Sequence, residues 1–582
     1  MQVARVGSSS WAIYSRGALS PFADRMLVLM DGRSVYDSFF SGIYWDTQDY
    51  LLADVDRIEV IRGPGGTIWG ANAVNGVVNV ISKSARNTQG LLFEGGGGTE
   101  EQGFGGARYG FKISDQAYGR VYAKYDTHDD LLTTTGAAAN DHWRSLRGGF
   151  RTDWEPGVEN QYTVQGDFYF NSYRQTTYLP TVVPPYERPL VGSTGAEGGN
   201  LLGRWTHAFS GDSELTVQAY WDRTHRDALT YHSTTDTFDV DANHHIALGE
   251  RNTVSWGAGF REIHDRFADQ IPEFIVTPAA DTLRLYSAFL QDEFKLVPEK
   301  LSLTAGAKVE HNDFSGWEIQ PTARLLWQAT ERQTVWGAVT RAVRSPNRSD
   351  NALRIQFQTL PPGALGFNTV PALFQAAGGT AEAQITTEWE LGYRAELSPN
   401  LSLDLAGFYN ESDKLFSLSP MGAIPLTNTV PYLLIPVRTG NESTGRAYGT
   451  ELTLSWQATE WWRLRLSYSA MHMRFMAPPG VQTDNAAYIP QQLSLNSGWN
   501  LGNHFQIDAW LRCVDEVRDG GIPAYVTADL RFAWRPRDDW EFSLVGQNLL
   551  DSQHAEYGRA FIEHGPLAEV QRSFYGKVTW RF

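Results

Sequence analysis

The sequence predicts an all-β transmembrane barrel of antiparallel strands. Three observations point there. Apolar and polar residues alternate with period two from about residue 90 onward, connections alternate between tight and long, and the last strand ends on an aromatic residue.

Successive side chains of a strand point to opposite faces, so alternation sorts them into two surfaces. Residues 525–535 put Val526, Ala528, Leu530, Phe532 and Trp534 on one face and Thr527, Asp529, Arg531 and Arg535 mainly on the other. Residues 448–456 set Tyr448, Thr450, Leu452, Leu454 and Trp456 against Gly449, Glu451, Thr453 and Ser455. After the turn QATEW, the next run sets Trp462, Leu464, Leu466 and Tyr468 against Arg463, Arg465 and Ser467. Residues 389–409 repeat the scheme across a Ser-Pro-Asn turn. These are hairpins. A soluble propeller or sandwich would show a blade-length signature, and none recurs.

Composition narrows the class. No apolar run reaches 18 residues, which excludes a helical membrane protein. The net charge of −17 argues against nucleic acid as a partner. The single cysteine, Cys513, supports neither an internal disulfide nor a multi-cysteine metal site.

Connection lengths favour a membrane barrel. QATEW, SPN, VPEK, ATER, RPRDD and LGNH are tight, whereas 171–200, 265–283, 345–384, 411–446 and 551–572 are expected as long polar or Gly/Pro-rich loops. Barrels of the outer membrane have short turns at one end and long loops at the other. Arg and Asp opposite the apolar face fit a wet lumen. The final FYGKVTWRF places Phe574, Val578, Trp580 and Phe582 on one face. It resembles the C-terminal signal that bacterial barrel-assembly machinery reads; an ordinary edge strand is the plainer alternative. The expected location is the bacterial outer membrane, with its lipid around the barrel.

Near the N-terminus, VIRGPGGTIWGANAVNGVVNVIS (60–82) could be mistaken for a phosphate loop. A dinucleotide fingerprint starting at Gly63 would need glycine where Ile68 stands, and the only Gly-Lys pair is Gly576-Lys577, followed by valine. Gly-Xaa-Ser-Xaa-Gly and His-Glu are both absent, so the usual hydrolase and zinc-protease motifs are missing. The expectation is a protein that is not an enzyme and holds no cofactor or metal of its own.

The residues from Val55 to Ala85, with LVLMDGRSVY (27–36) and SRG (15–17), resemble the plug of TonB-dependent outer-membrane receptors of the ferric-siderophore kind. Arg57, Glu59, Arg62, Gly63, Pro64, Gly70, Asn75 and Gly76 carry the match. FLQDEFKL (289–296), TRAVRSPNR (340–348) and GQNLLDSQHAEY (546–557) are similar to barrel stretches of the same family. The resemblance implies a barrel of about 22 strands, residues 87–582, around a small, incomplete α+β plug, residues 1–86. It also implies a monomer that takes up a metal chelate and is energised by TonB of the inner-membrane complex. MQVARVGSSSWAIYSRG has no signal-peptide pattern, so the signal peptide, the TonB box and the early plug are expected to be missing. A chain in that form would not be energised.

Two plug stretches are candidate ligand contacts. SVYDSFFSGIYW (34–45) offers Tyr36, Phe39, Phe40, Tyr44 and Trp45, aromatics suited to flat, partly apolar chelates; packing of the plug against the barrel wall is the alternative. Tyr14 to Phe22 is the second. Arg57, Glu59 and Arg62 are expected to hold the plug by charge pairs with the lumen. A ferric siderophore is the default cargo, and cobalamin stays open. Haem is disfavoured because no histidine precedes His128; His244 and His245, adjacent in one strand, point to opposite faces. A passive porin or structural barrel is the alternative outside the class.

Overall fold

A computed structural model of the chain describes residues 1–20, 24–366, 368–379, 381–427, 429–483, 487–558 and 565–582. From Gly90 onward the alternation becomes a closed barrel of 22 antiparallel strands. The last strand, Ser573–Arg581, pairs with Trp540–Gln547 on one side and with the first barrel strand, Gly90–Gly98, on the other. Closure explains part of the glycine run 95–98. A Cβ on Gly98 would lie 1.9 Å from the Phe574 carbonyl oxygen, so the seam closes only around a bare backbone.

The two faces are inverted relative to a water-soluble core. Phe532 is 42% exposed on the outer face while Thr527 is fully buried, and Arg147, Gln320 and Glu388 are among the most buried side chains. Apolar rings outside and paired charges inside suit a lipid-facing wall around a polar lumen. Phe574, Val578 and Trp580 lie on the closing strand and Phe582 follows its end, and Trp580 stacks on Phe93 and Trp540.

At one end the turns are short, from two residues (331–332) to five (155–159). At the other, two of the expected loops are largely strand. Asn160–Pro180 and Glu187–Ser210 stay paired to Pro180↔Glu187, and Leu401–Pro420 pairs with Pro431–Thr459 as far as Pro420↔Val437. Segments that rise clear of the bilayer must still satisfy their backbone groups, and continuing the ladder does so without an apolar face. Phe274–Val276, Leu353–Leu360 and Ala372–Ala377 add short strands over this mouth.

Residues before Gly90 form the plug inside the barrel. It comprises a hairpin, β1 (Gln2–Gly7) with β2 (Ser10–Tyr14), and a separate four-stranded sheet. That sheet runs β4 (Arg33–Ser34), β3 (Met26–Met30), β6 (Gly76–Ser82), β5 (Val55–Arg62), with the short helix α1 (Gly66–Trp69) between β5 and β6. Every residue of β3, MLVLM, is buried, as continuous apolarity in a central strand requires.

Candidate functional site

Two sites matter: where the plug is fastened, and where it meets the outer mouth. Fastening centres on Arg16. Its guanidinium reaches Glu388 at 2.7 Å, Glu451 at 2.7 Å, and Glu390, all on the barrel wall, and all four side chains are nearly inaccessible. Burial opposes the charge on Arg16, but Glu388, Glu451 and Glu390 outweigh it and hold the group firmly protonated. Arg62 adds weaker pairs, 3.5 Å each, to Asp404 and Glu451.

Gly63 sits against this cluster. Its φ is +80°, and a Cβ there would lie 2.6 Å from Arg16 Nη1 and 2.7 Å from Glu388 Oε1. Only glycine combines that backbone with that clearance. The glycine of Arg-Gly-Pro therefore makes room for the ion cluster.

The structure divides the three charges expected to hold the plug. Arg62 does reach the barrel. Arg57 instead pairs with Asp56 and Glu59 on its own strand, 2.9 and 2.7 Å away, and Glu59 also accepts from Asn79. The reason is position: the Arg57 side chain is more than half exposed on the edge strand β5, whereas Arg62 ends that strand beside the wall. Arg16, in the quoted Ser-Arg-Gly, was not singled out as a fastener. Its own neighbours show no charge, because all of its partners lie more than 370 residues away.

At the mouth, the turn Asp37–Gly42 thrusts the plug apex outward. Asp37 N–H donates to the Gly42 carbonyl at 2.7 Å, and Phe39 N–H donates to Asp37 Oδ1 at 2.8 Å. Burial pushes the Asp37 carboxyl up to about 6, against the Phe39 amide and Arg226, so its stabilising contribution is lost as pH rises through that value. Backbone N–H groups of Arg348 and Ser349 donate to the carbonyls of Ser38 and Phe39 at 3.1 and 2.7 Å, tying the apex to the TRAVRSPNR segment.

A cavity of about 370 Å³ lies between the apex and the mouth. Phe39, Phe40, Tyr44 and Trp45 line it, four of the five aromatics picked from sequence. Their environments differ. Phe39 is anchored among Tyr231, Phe267 and Phe274, which is the wall-packing alternative. Trp45 packs on the inner sheet with Met26 and Val28. Phe40 and Tyr44 are half-buried and meet edge to face, 4.6 Å between centroids. Arg226 lies 3.6 Å above the Tyr44 ring and pairs with Asp46 at 2.9 Å. Tyr36 is not at the cavity; it packs on Leu27, Leu29, Ala73 and Val77, with its hydroxyl donating to the Asp24 carbonyl.

Sequence reasoning missed the barrel cations of the cavity, Arg174, Arg226 and Arg344. Arg226 and Arg344 are paired with carboxylates, but the Arg174 guanidinium donates to Asn140 and Ser193 and has no carboxylate partner among the described residues. From the second candidate stretch, Tyr14 packs in an apolar cluster with Ile489, Val514 and Tyr525, away from the cavity, and Ser20 reaches the lining. Pro21 and Phe22 lie outside the described residues. His244 meets Ser213 and Trp256, and His245 meets Ser255, near the short-turn end.

Comparison with known proteins agrees with this geometry. Residues 1–77 match the family model for the TonB-dependent receptor plug domain, and residues 75–549 match that for the TonB dependent receptor-like β-barrel. An iron-regulated outer membrane virulence protein of Vibrio cholerae is 22% identical over 565 residues, covering 88% of this chain and 78% of its own. The vitamin B12 transporter BtuB of Vibrio vulnificus is 33% identical over 173 residues, 28% of this chain and 23% of its own. The crystal structure of the siderophore receptor PirA from Acinetobacter baumannii superposes with a TM-score of 0.76 at 14% identity, over 100% of this chain and 94% of that one. With both halves of the architecture matched, the chain belongs to the TonB-dependent receptors of the bacterial outer membrane.

Proposed function

We propose that the protein takes up a ferric siderophore, bound from outside in the cavity over the plug apex and released inward when TonB acts on the plug. Residues 1–86 are the removable stopper and 87–582 the wall. The observation that carries this reading is the cavity itself: aromatic faces from the plug beside Arg174, whose charge no carboxylate among the described residues offsets. Flat aromatic donors around Fe³⁺ suit the rings, and a negatively charged complex suits the guanidinium. Siderophore receptors among the relatives support the same class. The stretch similar to a vitamin B12 transporter favours cobalamin as the second reading.

Uptake in cells tests it. With the gene expressed from its own chromosomal locus as the sole route, labelled ferric catecholate is expected to enter only when TonB is present, and labelled cobalamin is expected not to enter. Cobalamin entry instead would move the cargo to the second reading. Equal chelate uptake without TonB would leave a passive pore.

A further inference from the structure

Strands Ser213–Asp227 and His232–Leu248 form a hairpin whose tip, residues 228–231, stands at the outer mouth. Arg226 and Tyr231 line the cavity. Alternation turns their neighbours His225, Asp227 and His232 to the opposite face. Asp227 pairs directly across from His232, and His225 across from Thr234, so all three share that face. Asp227 Oδ1 lies 3.2 Å from His225 Nε2 and 2.6 Å from His232 Nδ1, and one ligand atom from each residue falls within 4.8 Å of the others. Thr234 Oγ1, 2.9 Å from His225 Nδ1, orients that ring with Nε2 toward the carboxylate. The side chains are between 37% and 49% exposed, open to an ion from outside.

We infer that His225, Asp227 and His232 bind a divalent transition-metal ion of the Zn²⁺ type on the outer face of this hairpin. Two imidazoles and one carboxylate are donors that zinc takes, leaving a fourth position open. Bonds of about 2.0–2.2 Å in a tetrahedron put neighbouring donors roughly 3.3 Å apart, close to the 3.2 Å between His225 and Asp227. The ion takes the place of the direct contact between His232 Nδ1 and Asp227 Oδ1, and those two atoms then separate from 2.6 Å to ligand spacing. Along the same face Arg223 is engaged by Asp236 at 3.8 Å, while the exposed Arg266 stands opposite Thr234 in the following strand. Glu197 stands opposite His225 in the next strand and adds a second carboxylate beside it. Imidazole donors select zinc, copper or nickel over calcium and magnesium. The site lies on the other face of the hairpin from the cavity, so it does not depend on what the cavity binds.

The test is titration of the full chain, purified in detergent with any histidine tag removed, with Zn²⁺ alone by calorimetry and with Co²⁺ by absorption. The parent is expected to bind one equivalent tightly, with a tetrahedral Co²⁺ spectrum, undisturbed by excess Mg²⁺. His225→Ala with His232→Ala is expected to weaken binding roughly 100-fold while the barrel keeps its heat-modifiable gel mobility. If that double variant does not fold, Asp227→Asn decides, with an expected loss of about tenfold. Absence of Zn²⁺ binding in the parent, or unchanged affinity in the folded variants, overturns the assignment.

Discussion

Replacing Arg16 with alanine is expected to loosen the plug while leaving the barrel intact. The substitution takes the closest cation from Glu388, Glu390 and Glu451, leaving the longer pairs of Glu451 to Arg62 (3.5 Å) and Glu390 to Arg324 (4.0 Å), in a site where each carboxylate side chain is at most 7% exposed. Removing one partner from a buried ion cluster costs about 3–5 kcal/mol, because the remaining charges keep their desolvation penalty. Hydrogen exchange along β3 should therefore accelerate strongly, while exchange in strands such as Asn160–Pro180 should not. Arg16→Ala combined with Glu388→Gln should recover part of the loss. Arg57→Ala is the control, since its pairs are exposed and stay within the plug; plug exchange in that variant should match the parent. Unchanged exchange in Arg16→Ala would mean that the plug is held by something else.

Phe39→Ala is expected to uncouple the apex from the mouth. The Phe39 ring lies 4.6 Å from Phe267, 5.9 Å from Tyr231 and 6.1 Å from Phe274, centroid to centroid; Phe39 is buried within that group and Phe40, partly buried, packs against it. Truncating a buried phenylalanine costs about 3–5 kcal/mol, part of it as a cavity. The loss should be local: faster exchange in Phe274–Val276 and Leu353–Leu360, and weaker binding above the apex. Phe39→Leu, which keeps most of the volume, should lie between the two. An unchanged mouth in Phe39→Ala would show that the backbone bonds from Arg348 and Ser349 suffice alone.

The barrel was legible because lipid and lumen impose opposite demands on alternate residues, as Phe532 and Thr527 show. Strand–turn–strand order is local, and the tight turns carry their own chemistry. The outer hairpins were less legible: beyond the bilayer nothing requires residues 171–200 or 411–446 to be apolar on one face, so their strands looked like loops. At the apex, Phe39, Phe40, Tyr44 and Trp45 could be picked because they stand together in sequence. Which of them anchors and which stays half-buried depended on Tyr231 and Phe267, distant partners that only the closed barrel brings near. Arg16 and Arg174 were missed for the same reason. A cation's role is set by the carboxylates facing it, or by their absence, and here those facing residues come from other strands.

The most direct test is equilibrium binding of a ferric tris-catecholate to the purified chain, followed by quenching of intrinsic fluorescence. Saturable one-to-one binding is expected. In Arg174→Ala it should weaken roughly tenfold, the size of one charge-assisted hydrogen bond. A chain that saturates with neither ferric catecholate nor cobalamin, or an Arg174→Ala variant that binds ferric catecholate as tightly as the parent, would contradict a chelate site above the plug.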